Sequence, residues 1–192
     1  MTKSLYRLLA IFVFSVALLC CSISKTDMQR MIKSRIYIPR TMTSICDGMI
    51  SDCADISGKV KLVYYNSSDV CTYCNINRLY RLEPLYNLYD NKLFSIFIIF
   101  APHKGEYEKV ISFLQDSDFK HQVLVDKNNE FIAKNNFIPD NAIYHCFLMD
   151  KNDEIVLVGD PVASDAMWNL FKATLDNNML AHDGVYVPDE KN

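Results

Sequence analysis

The run KLFSIFIIFAP constrains this chain most, because from Phe94 to Phe100 only Ser95 interrupts the apolar side chains. A short run of this kind, without the alternation of a half-wetted strand, reads as a β-strand covered on both faces, which is typical of the centre of an α/β sheet. Such a strand needs neighbours in the sheet and helices above and below it.

The flanking segments supply both. Upstream, KVKLVYYN is a short β-rich run. It is followed by CTYCNINRLYRLEPLYNLYD, which carries Leu79, Leu82, Tyr86 and Tyr89 at helical spacing. Strand, helix and central strand therefore form a crossover unit, and Pro84 is expected to kink or end its helix. Downstream, GEYEKVISFLQD places Val110, Ile111 and Leu114 on one helical side, HQVLVD is a short strand, and NEFIAKNNF is at most a short helix. AIYHCFLMDKNDEIVLVGDP gives two strands joined by a turn at Asp150 to Asp153, a hairpin. SDAMWNLFKATLDNNM closes the unit as an amphipathic helix capped by Ser164 or Asp165, with Met167, Leu170, Phe171, Leu175 and also Trp168 towards the core. The predicted order is β-α-β-α-β-(α)-β-β-α, parallel units first and an antiparallel hairpin last, with no internal repeat.

The beginning of the chain has a different texture. Lys3 and Arg7 precede LLAIFVFSVALLCCS, an apolar run of export-signal length and shorter than the ~20 residues of a comfortable membrane span. Its end, ALLCCS, resembles a bacterial lipobox. That resemblance implies lipidation of Cys21, with Cys20 as the small residue before it. Lipidation at Cys20 would leave the bulky Leu19 before the cleavage point, and a plain secretory signal is the other reading. Residues 22–57 are polar and weakly periodic and read as a tether and lead-in. The expected organisation is a signal over 1–21, this lead-in, a folded domain over 58–180 and a tail over 181–192. The formal charge of -3, with Lys and Arg scattered, gives no electrostatic footprint for nucleic acid.

With the signal removed and Cys21 acylated, Cys46, Cys53, Cys71, Cys74 and Cys146 remain, and an exported protein can keep disulfides. Cys46 and Cys53, in SICDGMISDC, would close a small loop as a structural staple. Cys71 and Cys74 stand where a polar loop turns into a helix, a position that favours the thiolate needed for exchange chemistry. Asp69 or Ser68 could cap that helix, placing Cys71 in its first turn and Cys74 on nearly the same face. Asp69 also works against the thiolate, since a carboxylate beside a thiol disfavours its ionised form.

The order of elements, the CTYC at the junction after KVKLVYYNSSDV and the late FLMDKNDEIVLVGDP hairpin together resemble the thioredoxin superfamily. They resemble in particular the exported thioredoxin-like lipoproteins of Gram-negative bacteria, over residues 55–180. The resemblance implies a three-layer α/β sandwich, with a central mixed sheet and a C-terminal β-hairpin and helix. It also implies that Cys71 attacks a substrate sulfur and that Cys74, one turn deeper, resolves the mixed disulfide, with Thr72 and Tyr73 tuning the potential. Protein or small-molecule thiols and disulfides would be the partners, and no organic cofactor is needed. The lipid anchor would hold the protein to a membrane of the cell envelope, facing the periplasm or the surface. Two positions depart from the family: Val70 replaces its aromatic residue, and no proline stands near Tyr144, where its cis-proline would fall, Pro139 lying earlier.

Two other readings of the pair stay open. One is a redox-silent binding module with a permanently closed structural disulfide. The other is a copper or zinc site formed by Cys71, Cys74 and His145, although copper-handling relatives space their cysteines by three residues. Strand alternation sends Cys146 to the face opposite His145, which makes it a core thiol. His103, His121 and His182 are isolated and read as solvent-facing.

Overall fold

A computed structural model describes residues 26–51, 59–69, 71–88 and 94–180. Its strands are β1 (Thr43–Cys46), β2 (Met49–Ser51), β3 (Val60–Asn66), β4 (Phe94–Phe100), β5 (Val123–Val125), β6 (Cys146–Met149) and β7 (Ile155–Val158). Its helices are α1 (Thr72–Ile76), α2 (Glu83–Tyr86), α3 (Tyr107–Gln115), α4 (Glu130–Lys134) and α5 (Asp165–Leu180). The strands form one mixed seven-stranded sheet in the order β2-β1-β5-β4-β3-β6-β7.

The apolar run stands where its composition requires, with β4 between β3 and β5 and parallel to both. Phe94, Ile96, Ile98 and Phe100 face one side and Phe97, Ile99 and Ala101 the other. The first side is covered by Ile76, Leu79, Leu82 and Leu85 of the segment after the cysteines, by Val110, Ile111 and Leu114 of α3, and by Phe171 and Leu175 of α5. The other is covered by Met31, Ile36 and Met42 near the N-terminal end, by Phe131 of α4, and by Ile138 and Tyr144. Helices and chain on both faces of a mixed sheet make the expected three-layer sandwich.

Residues 26–51, read from the sequence as part of a tether and lead-in, are built into the sheet and its cover. Residues 26–31 are helical, residues 33–36 run along the start of β7 through hydrogen bonds such as Lys33 N to Ile155 O at 2.8 Å, and β1 and β2 extend the sheet. Met31, Ile36 and Met42 are buried there. The sheet's second face needs a cover, and an irregular segment can provide it with widely spaced apolar residues that show no period. β1 and β2 are joined through Asp47 and Gly48, at φ 50° and 70°, the left-handed pair of a tight hairpin turn. A Cβ on Gly48 would lie 2.7 Å from the Gln115 carbonyl oxygen, so this turn is pressed against the end of α3.

Two helical expectations also change. The segment after the cysteines is broken: α1 ends at Ile76, a 3-10 turn spans Leu79–Leu82, and α2 begins at Glu83. Pro84 has no N–H to donate to the Tyr80 carbonyl, so an α-helix cannot run through it. It instead occupies the start of α2, where no donor is required. In α5, Phe171 and Leu175 are buried but Leu170 is half exposed, and Trp168 packs on the core in its stead. Ser164 caps that helix, its hydroxyl oxygen accepting from Met167 N at 3.2 Å.

Candidate functional site

β3 ends at Asn66 on the edge of the sheet where the parallel strands end, and the chain turns there into α1. Cys71 is itself the N-cap of α1, with extended backbone, and its Sγ accepts from the backbone N–H of Cys74 at 3.2 Å. The expected caps, Ser68 and Asp69, are not used. The carbonyl of Cys71 accepts the first helical bond, from Asn75 N at 3.1 Å. Cys71 and Cys74 are joined in a disulfide whose Cα atoms are 5.3 Å apart.

α1 buries Thr72 and Ile76, one turn apart, and this sets the direction of the sulfurs. Both cysteines fall on the opposite face and both are exposed. Their difference lies in hydrogen bonding: the N–H of Cys74 is aimed at the sulfur of Cys71. Between them, Tyr73 is held edge-on against Phe113 of α3, with ring centroids 5.3 Å apart and planes at 78°. That contact ties the dipeptide between the cysteines to the neighbouring helix.

His145 and Cys146 lie beside this edge on opposite faces, although His145 ends a 3-10 turn and only Cys146 belongs to β6. His145 packs against the Tyr65 ring at 5.1 Å and holds the Pro139 carbonyl through Nε2 at 3.0 Å, while its own carbonyl accepts from Tyr65 N. Burial lowers its pKa, against the opposing pull of the Pro139 carbonyl and of Asp140 and Asp69. The ring is already engaged. Among the described residues no group of three or more histidines, cysteines and carboxylates is placed to hold a metal. Cys146 is a buried thiol in the cluster that contains Tyr64, and burial pushes its pKa up. Among the described residues there is no cis peptide bond, and Ala142–Tyr144 forms a 3-10 turn where the sequence suggested the start of β6.

Local pattern missed a polar connection at the back of the site. Asp160, two residues past β7, accepts from the Tyr64 hydroxyl at 2.7 Å and from Arg81 Nη2 at 2.9 Å, and it caps the Pro161–Ala163 turn through Val162 N. Only the Asp-Pro step that starts that turn was visible beforehand. His121 is not isolated: it stacks on Tyr86, with centroids 3.5 Å apart, and meets Glu83 at 3.3 Å. Cys46 ends β1 and donates its thiol to the Lys120 carbonyl at 3.3 Å. Cys21, Cys53, Val70, Tyr89 and His182 lie outside the described residues.

No family model and no curated protein matches the chain. Several solved structures are similar to it. A thioredoxin-like superfamily protein is 17% identical, with a TM-score of 0.49, over 82% of this chain and 99% of its own. An uncharacterized thioredoxin-like protein from Porphyromonas gingivalis is 16% identical, with a TM-score of 0.48, over 80% of this chain and 99% of its own. The thioredoxin domain of a thiol-disulfide oxidoreductase from Bacteroides vulgatus is 18% identical, with a TM-score of 0.46, over 75% and 97% respectively. The strand order, the parallel β3-β4-β5 core, the antiparallel β6-β7 edge and the disulfide after β3 are thioredoxin-like in their own right.

Proposed function

We propose that this thioredoxin-like domain exchanges disulfides with protein or small-molecule thiols through Cys71 and Cys74. The observation that carries the reading is the exposed disulfide at the start of α1, in which a backbone N–H is directed at the sulfur of the first cysteine. A donor in that position favours the thiolate of Cys71 once the bond is reduced. Attack by a substrate thiolate on Sγ of Cys71 forms a mixed disulfide and releases Cys74 as the thiolate. A second substrate thiolate then attacks the substrate sulfur and releases Cys71, leaving the substrate oxidised and the pair reduced by two electrons. The reverse sequence reduces a substrate disulfide.

A permanently closed structural pair is the competing reading, and the two differ in reducibility. Under native conditions dithiothreitol is expected to reduce the wild-type pair, and Cys74→Ser is expected to accumulate a stable mixed disulfide with oxidised glutathione through Cys71, read by intact mass. A pair that stays closed, with no adduct on Cys74→Ser, refutes the exchange reading.

The N-terminal sequence supports export and attachment to a membrane of a Gram-negative envelope through a lipid on Cys21. Among the described residues no helix is long and apolar enough to cross a membrane. Metabolic labelling with palmitate should mark the wild type and not Cys21→Ala; label that persists in the variant rules the anchor out.

A further inference from the structure

We propose that a cleft beside the Cys71–Cys74 segment is a carboxylate-binding subsite, which directs exchange towards small thiols and disulfides bearing a carboxylate. The consequence for exchange rests on the function proposed above; the binding itself does not.

The cleft holds about 80 Å³ between the end of β3 and the chain that follows the disulfide. Its floor is apolar, with Ile98 and Leu79, and Tyr64, Asn66, Asn75, Arg78 and Arg81 supply its polar atoms. No carboxylate lines it. Asp160, which bonds to two of its lining residues, is already engaged by the Tyr64 hydroxyl and by Arg81. Arg78 has no ion pair and no side-chain hydrogen bond among the described residues. Asn75 spends one amide hydrogen on the Asn66 Oδ1 at 3.0 Å, and Asn66 directs one at the Ile99 carbonyl at 3.4 Å, so each amide keeps a second hydrogen to offer.

Donors and one unmatched positive charge, with no facing anion, define a site for an anion. The chemistry of the donors narrows its class. A guanidinium pairs with a planar carboxylate through parallel hydrogen bonds. Asn75 lines the cleft and directly follows the exposed Cys74, so the cleft adjoins the cysteine-bearing helix α1. With the reduced protein, the Cys71 thiolate attacks one sulfur of such a disulfide and expels one thiolate. The Cys74 thiolate then attacks Sγ of Cys71 and expels the second, so the ligand disulfide is reduced and the protein pair oxidised.

Propionate, which has no sulfur, tests the subsite without any exchange. Titrated into the oxidised wild-type protein, it should shift the side-chain amide resonances of Asn66 and Asn75 saturably. Arg78→Gln should weaken that binding about tenfold, the size of one charge-assisted hydrogen bond. Unmoved resonances, or equal binding by the variant, overturn the proposal. In a second arm, reduced protein is mixed with dithiodipropionate or with neutral hydroxyethyl disulfide. Arg78→Gln should slow only the dicarboxylate, again about tenfold, and Arg40→Gln, which removes an exposed arginine outside the cleft, should slow neither. Equal slowing of both disulfides, or by both variants, overturns the subsite. If the wild type reacts with neither disulfide, the exchange reading falls, and the propionate titration alone decides the subsite.

Discussion

Asp153→Asn is expected to lower the unfolding free energy by about 3 kcal/mol, the low end of the range for a buried ion pair that loses one partner. Lys61 lies in β3 with its side chain only 2% exposed, and its ammonium is held by Asp153 Oδ1 at 2.7 Å and by the Lys59 carbonyl at 2.9 Å. Removing the carboxylate charge leaves that ammonium desolvated with only neutral acceptors, the Lys59 carbonyl and the asparagine amide oxygen. Asparagine is the informative replacement because Asp153 has φ 68°, a left-handed conformation that asparagine tolerates well. The reciprocal change, Lys61→Met, should fall within about 1 kcal/mol of wild type. Methionine fills the space without a charge, and Asp153, whose side chain is 35% exposed, turns to water. Urea unfolding of both variants with the disulfide intact checks this. Equal losses would mean that the contact stabilises through packing alone.

Cys71→Ser is expected to reduce exchange to the uncatalysed background, whereas Cys74→Ser retains the first attack and loses only its resolution. The asymmetry follows from α1: Cys71 is the N-cap and its sulfur receives the Cys74 N–H, while no donor among the described residues serves the sulfur of Cys74 in the same way. In the reduced wild type at pH 7, iodoacetamide should therefore alkylate Cys71 severalfold faster than Cys74, because the Cys74 N–H is aimed at the Cys71 sulfur. Peptide mass mapping after a short pulse measures the ratio. Equal labelling, or faster labelling of Cys74, would reverse the assignment of attacking and resolving sulfurs.

Several elements were legible for reasons that can be named. β4 announced itself because a strand buried on both faces must be apolar throughout, and Phe94–Phe100 is buried at every position but Ser95. α3 showed its buried face because Val110, Ile111 and Leu114 recur at helical spacing. The Asp47-Gly48 step is a strong hairpin signal, but the strands it joins have only four and three residues and β2 is exposed throughout, so the surrounding pattern looked like lead-in. Leu170 misled because a helical stripe of apolar residues is wider than the surface that covers it. The core takes Phe171 and Leu175 and leaves Leu170 half in solvent.

By itself the sequence determined the kind of sheet, its central strand, the order of most elements and the place of the two cysteines between a strand and a helix. Those properties are written in hydrophobic period and composition over short stretches, which fix whether a segment is strand or helix and how many of its faces are covered. Only the tertiary structure decided that Cys71 caps its own helix, that both sulfurs face outward because Thr72 and Ile76 face inward, and that residues 26–51 complete the second layer. It alone brought Asp160 to Tyr64, 96 residues away in the chain, and left Arg78 without a counter-charge at the cleft. Such contacts depend on packing between distant segments, for which a local pattern carries no signal.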